Sequence, residues 1–251
     1  MTQKPARNVR LLIGFEGTRY EGWQSQRNGK TLQELFEKIL SRIFHAQKIN
    51  LHGSSRTDSG VHARGFVAHF AAPGAISDAK LKSALNHYLP PDVVVLDVKT
   101  VKASFHARFS AKSKIYRYDI WNDRTRPLFE APYALWYPGD LDLALMKKAA
   151  AHFTGKHDFA AFRDSGADDK RSTVRTVKKL SVAKKGKLVS ITIQGDGFLT
   201  HMVRIIAGTL IQAGVGRIPP ADIPAIIRSK DRKKAGPTAK ALGLTLVKVL
   251  Y

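Results

Sequence analysis

The sequence predicts an α+β fold in two lobes, residues 1–110 and 111–251, and three observations lead there: one long apolar stripe at helical spacing, several short alternating or β-branched runs bounded by turn residues, and a return of the same mixture in the second half. Val9 to Phe15 reads as a strand. Thr31 to His45 reads as an amphipathic helix, with Leu32, Leu35, Phe36, Ile39, Leu40 and Ile43 on one stripe and Thr31 with Glu34 as a capping box. Ile49 to Gly53 and Gly65 to Phe70 are strand-like and flank a polar connection. Ser77 to Tyr88 is a second helix, stopped by Pro90 and Pro91, and Val93 to Val101 and Lys114 to Trp121 follow as strands. In the second of these, a period of two places Tyr116 and Tyr118 on one face. A further α/β run opens near Asp140, the expected cap of a helix to about Phe153. Strands near Val174 to Val182 and Leu188 to Gln194 lead into a helix from Phe198 to Ala213 ended by Gly214 and Gly216. A shorter helix, Ala221 to Ser229, and a strand, Leu244 to Val249, complete the order. Leu32, Ile39, Ile43, Val203 and Ile206 are expected core, and Tyr20, Trp23 and Tyr88 are read as packing groups.

Of 251 residues, 42 are Lys or Arg and 20 are Asp or Glu, a net charge of +22. Such a surface attracts polyanions, among which nucleic acid is the abundant one. The basic clusters at Arg7 and Arg10, Arg108 to Arg117, Lys178 to Lys187 and Arg228 to Lys234 are candidate phosphate contacts. With no cysteine, disulfide frameworks, thiolate metal sites and Cys nucleophiles are excluded. Apolar runs are strand-sized, well short of the roughly 20 residues a membrane span needs. Neither a secretion signal nor a spanning segment is expected, and the reading is a cytoplasmic protein.

The chemistry is expected between Gly53 and Gly65. There Arg56, Thr57, Asp58, Ser59, Gly60 and His62 combine guanidinium, hydroxyl and backbone donors around a single carboxylate, Asp58, in a loop between strands. The same residues would also serve as a local turn capped by Asp58. His52, His62 and His69 alternate through this stretch, but they lack acidic or thiolate partners at helical spacing, so no metal site is read from them.

The run Arg56-Thr57-Asp58-Ser59-Gly60-Val61-His62-Ala63 followed by Gly65-Phe66-Val67-Ala68-His69-Phe70 resembles the signature of the tRNA pseudouridine synthase A (TruA) family. Further blocks agree in order: Gly14 to Gln26, Phe105 to Ser110 with its His-Ala-Arg108 core, Tyr116-Arg117-Tyr118, Phe159 to Arg163, His201-Met202-Val203-Arg204 and Gly243 to Leu246. Ser55, Ser59 and Phe66 stand where the family usually has Gly, Ala and Gln. The resemblance implies two similar, ferredoxin-like lobes sharing a central mixed, mostly antiparallel sheet, with the active-site cleft between them. It implies Asp58 as the catalytic carboxylate, Tyr116 as the active-site tyrosine and Arg204 as the basic partner of the aspartate. Arg56 would help to draw the target nucleotide from its stack, and His62, Arg108 and Arg163 are carried over with Arg56 and Tyr116 as substrate- or RNA-binding residues. The implied activity is isomerisation of uridine to pseudouridine at positions 38–40 of the anticodon stem-loop of tRNA, by a homodimer, with no cofactor and no metal. Two other readings remain open on the residues: a catalytically silent RNA-binding protein, and a synthase acting on ribosomal RNA.

Overall fold

Alternation decides the first strand. In β1 (Arg7–Phe15) Val9, Leu11, Ile13 and Phe15 are buried while Arg10 and Leu12, facing the other way, are partly exposed, as a one-sided sheet requires. These and all later observations come from a computed structural model that describes residues 7–27, 29–166 and 172–251. After β1 come α1 (Leu32–Phe44), β2 (His52–Gly53), β3 (His62–Ala72), α2 (Asp78–Tyr88), β4 (Val93–Val101) and β5 (Ser113–Asn122). The chain continues through β6 (Leu135–Tyr137), α3 (Leu143–Ala151), β7 (Gly155–Asp158), β8 (Val174–Lys185), β9 (Leu188–Gly195), α4 (Met202–Gly214), α5 (Ile223–Ser229) and β10 (Leu244–Leu250). The α+β class is as expected. No helix among the described residues is long and apolar enough to cross a membrane.

The chain divides into two units, Met1–Lys112 with Leu246–Tyr251, and Ser113–Thr245. In the first, the strands lie in the order β4, β1, β3, β10, with β2 also paired to β3. β1 is antiparallel to both β3 and β4. Leu32, Phe36, Ile39 and Leu40 of α1 and Leu81 and Leu85 of α2 are buried. Ile43, expected in the core, is only half-buried, because the stripe runs out in the last turn of α1. The expected strand at Ile49 to Gly53 shortens to the two residues of β2. The C-terminal segment is fastened to the rest of the unit: the Lys112 amide donates to the Leu250 carbonyl (2.7 Å) and the Tyr251 hydroxyl to the Ala107 carbonyl (2.7 Å).

In the second unit the order is β5, β9, β8, β7, with every neighbouring pair described antiparallel, and β6 runs parallel beside β5. Phe153, Phe159 and Phe162 are fully buried and meet edge to face, with ring centroids 5.0 and 6.2 Å apart. Helix starts depart from expectation for local reasons. Asp142, not Asp140, caps α3, its Oδ1 accepting from the amides of Ala144 (2.7 Å) and Leu145 (3.0 Å). α4 begins at Met202 rather than Phe198 because His201 takes a left-handed conformation (φ 60°) and breaks the run. The expected start of the next helix is a 3₁₀ turn, Pro220–Asp222, ahead of α5. β6 and β7, three and four residues long, are too short to leave a period in the sequence.

Candidate active-site loop and its partners

Asp58 lies on the β2–β3 connection of the first unit, half-buried, beside the exposed Arg56 and the buried Thr57. This loop is gripped by residues 17–23. The Tyr20 carbonyl accepts from the Gly60 amide (3.2 Å) and the Ser59 hydroxyl (3.3 Å), while the Trp23 amide donates to the Thr57 carbonyl (3.2 Å). The Gly17 amide donates to Nδ1 of His62 (3.0 Å). Approach is so close that a Cβ on Gly17 would sit 2.0 Å from the Val61 carbonyl oxygen, and one on Gly22, at φ 86°, 2.4 Å from that of Thr57. Only glycine fits there. Within the loop the Val61 amide donates to the Asp58 carbonyl (3.2 Å), whereas the hydroxyls of Ser55 and Thr57 are buried without a hydrogen-bond partner. Trp23 carries the grip into the core, stacked on Phe66 at 3.9 Å.

His62 is 3% exposed, with the Glu16 carboxylate 3.8 Å from the ring nitrogen that accepts from Gly17. It orders the loop entrance. His52, His69 and His106 form a separate ring cluster, His69 standing 5.1 Å from His52 and 4.6 Å from His106. Burial first, then the neighbouring imidazoles, pull the His69 pKa down to about 4. Its Nδ1 accepts from the Ala107 amide (3.1 Å), fixing the ring. Among the described residues no group of three or more His, Asp or Glu is placed to hold a metal ion. Arg108 follows this cluster, half-buried, its guanidinium 5.7 Å from the centroid of the exposed Phe109 ring.

The second unit holds the remaining candidates. Tyr116, on β5 opposite Ile193, is 7% exposed and meets Phe198 edge to face at 5.3 Å. Tyr118, two residues on and opposite Ile191, shares that face; it has no exposed surface, and its hydroxyl donates to the Lys240 carbonyl (2.8 Å). Burial raises the Tyr118 pKa, and the charge of Arg204 opposes the rise. Arg204, in the first turn of α4, is held at both ends: its Nε donates to the Ala239 carbonyl (2.8 Å) and its own carbonyl accepts from the Ala239 amide (3.1 Å). Arg163 follows the 3₁₀ turn Ala160–Phe162, and the next residue, Asp164, pairs with His201 at 3.2 Å.

Several expected phosphate contacts have other work. Arg7 pairs with Asp78, Arg10 with Asp97 (2.8 Å), Lys187 with Asp123 (3.1 Å) and Lys230 with Asp158 (2.8 Å). Arg232 bonds the Gly236 carbonyl (2.9 Å) and the Thr238 hydroxyl (3.1 Å). Sequence reasoning also took Tyr20 and Trp23 for packing alone; the glycines between and before them carried the missed signal of a second backbone close by.

Residues 12–110 and 149–251 match the family model described as tRNA pseudouridine synthase, so the Asp58 loop and Arg204 fall inside the matched stretches and Tyr116 between them. The chain belongs to the tRNA pseudouridine synthase family. A tRNA pseudouridine synthase A of Acetivibrio thermocellus is 45% identical over 245 residues, covering 98% of this chain and all of that protein. One from Ruminiclostridium cellulolyticum is 45% identical over 246 residues with the same coverage. Another, from Geobacillus kaustophilus, is 41% identical over 251 residues, all of this chain and 95% of that protein. Members of this family are isomerases, and this chain is an enzyme of that class.

Proposed function

We propose that this enzyme isomerises uridine to pseudouridine at positions 38–40 in the anticodon stem-loop of tRNA, as a homodimer, with Asp58 as the catalytic carboxylate. The observation that carries the reading is the loop holding Asp58: it lies inside a matched stretch of the family and is gripped by a second backbone segment. A reacting group held that way loses little freedom on reaching the transition state. The reaction exchanges one glycosidic bond for another. The N1–C1′ bond breaks, the base turns, C5 bonds to C1′, C5 gives up its proton and N1 ends protonated. Nothing is added and nothing is lost, so the residues need supply only a base or nucleophile, proton transfer and binding.

An ionised Asp58 serves either route, attack at C1′ or removal of a ribose proton. Tyr116 is proposed for loss of the C5 proton, its hydroxyl being the proton carrier and its ring a surface for the uracil. Arg204 is proposed as the cationic partner of the carboxylate. Arg56, exposed beside Asp58, is proposed to act on the nucleotide as it leaves its stack, a movement that costs a few kcal/mol and is repaid by new contacts. His62, Arg108 and Arg163 complete the proposed RNA-binding set.

Unmodified tRNA transcripts incubated with the purified protein should gain pseudouridine at 38–40, mapped chemically. Asp58→Asn should cut turnover below about one per cent of wild type, the usual scale for deleting an essential group, while tRNA affinity stays within about tenfold. Pseudouridine appearing only in ribosomal RNA would overturn the substrate. Higher residual turnover would overturn the role of Asp58.

A further inference from the structure

We propose that Tyr20 and Asp92 are positioning residues for the reaction, a hydrogen-bonded pair of a buried phenol and a half-buried carboxylate that fixes the segment gripping the Asp58 loop; the proposal rests on the reading of Asp58 as the catalytic carboxylate. Tyr20 is 1% exposed, and its hydroxyl donates to Oδ1 of Asp92 at 2.8 Å. Asp92 sits in the turn leading from α2 into β4, with a side chain 12% exposed, and its carbonyl accepts from the Glu16 amide (2.9 Å). The pair therefore ties residues 16–20 to an element anchored in the sheet. Burial and the adjacent carboxylate both raise the Tyr20 pKa, so the phenol stays protonated and donates at neutral pH.

The same residue that is anchored by its side chain holds the loop by its backbone. The Tyr20 carbonyl accepts from both Ser59 and Gly60, the two residues directly after Asp58. Tyr20 thus links the Asp92 anchor, through its side chain, to the two residues after the reacting group, through its carbonyl. Within the loop the hydroxyls of Ser55 and Thr57, on either side of Arg56, are buried without a hydrogen-bond partner and add nothing to this support. Removing the Tyr20 hydroxyl should leave the ring packed and release the carbonyl by a fraction of an ångström. Displacements on the order of 1 Å cost about a hundredfold in rate.

The test is single-turnover pseudouridine formation on an unmodified tRNA transcript, read with tRNA affinity by filter binding and with thermal melting. Tyr20→Phe and Asp92→Ala should each lower the rate about tenfold or more while affinity stays within about twofold. Asp92→Asn, whose amide oxygen still accepts from the phenol, should recover most of the rate. The double variant Tyr20→Phe with Asp92→Ala should be no slower than the worse single one, since both remove the same bond. Rates within about twofold of wild type for both single variants, multiplicative losses in the double variant, or an effect confined to affinity or melting would each overturn the proposal. Asp58→Asn is run alongside. Should it remain active, the reading of Asp58 fails whatever the Tyr20 variants do; should it be dead while Tyr20→Phe keeps wild-type rate, only the positioning pair fails.

Discussion

Tyr118 has no exposed surface and donates to the carbonyl of the exposed Lys240, so Tyr118→Phe removes one hydrogen bond and leaves an acceptor that water can reach. That should cost about 1 kcal/mol of stability while the folded fraction keeps most of its activity. Tyr116→Phe should slow severely the release of tritium from C5-labelled uridine in tRNA. Full label release with Tyr116→Phe and loss with Tyr118→Phe would show the roles assigned to the wrong tyrosine. His69 supplies a pH dependence. Its folded pKa, about 4, lies below the roughly 6.5 of an unfolded histidine, so between those values the unfolded chain binds more protons. Its contribution to stability is complete above about pH 6.5, declines as the pH falls toward 4, and changes no further below that. Burial lowers the pKa of His106 as well and acts in the same sense. His69→Asn keeps an acceptor for the Ala107 amide and cannot titrate, so its melting temperature should fall less between pH 7.5 and pH 5 than that of the wild type. An equal fall would remove His69 from the account.

Helix caps rank themselves by the bonds they make. Asp142 accepts two amides at the start of α3, Ser77 accepts one from Lys80 (3.3 Å) at the start of α2, and Thr31 makes no side-chain cap bond at the start of α1. The Thr31 hydroxyl is instead buried without a partner, and Glu34, its expected reciprocal, pairs with Lys38 at 2.8 Å. Alanine at Asp142 should therefore cost about 1–2 kcal/mol and at Ser77 somewhat less. Thr31→Val should be neutral or stabilising by denaturant unfolding, since it removes an unsatisfied polar group and keeps the shape. This is where the sequence misled: a capping box is a pattern of residue types, and tertiary burial of Thr31 overrides it. Strands with strong alternation, β1, β4 and β9, were legible to within a residue or two, because one face meets a core and the other does not. The start of α4 was not, since nothing in Phe198 to Thr200 forbids helix and only the conformation of His201 ends it. Of the proposed site, Asp58 and its loop stood out through their unusual density of chemical groups. The grip by residues 17–23 stayed hidden, because contact between segments separated by a helix leaves no local period.

Across the whole molecule, a net charge of +22 survives the discovery that Arg7, Arg10, Lys187 and Lys230 are paired, because pairing redistributes charge without removing the excess. tRNA affinity should therefore fall roughly a thousandfold or more as salt rises from about 50 to about 200 mM, measured by filter binding. A shallow slope would mean that few phosphates are engaged. Activity on tRNA folded beforehand should survive EDTA; loss that zinc restores and magnesium does not would reveal a metal dependence.

The placement of β10 has a consequence in time. Residues 246–251 complete the sheet of the first unit, yet they are synthesised only after the whole of the second. While a ribosome works through residues 113–245, the part of the β3 edge that β10 will take, beyond the short stretch paired with β2, stays open, the kind of surface that invites wrong partners, and the segment carrying Asp58 has been made but its sheet lacks a strand. Closing so long a connection is slow by comparison with local pairing. The unit that begins first is finished last, and competence for chemistry should appear in a translation time course only once residues beyond 245 have cleared the exit tunnel.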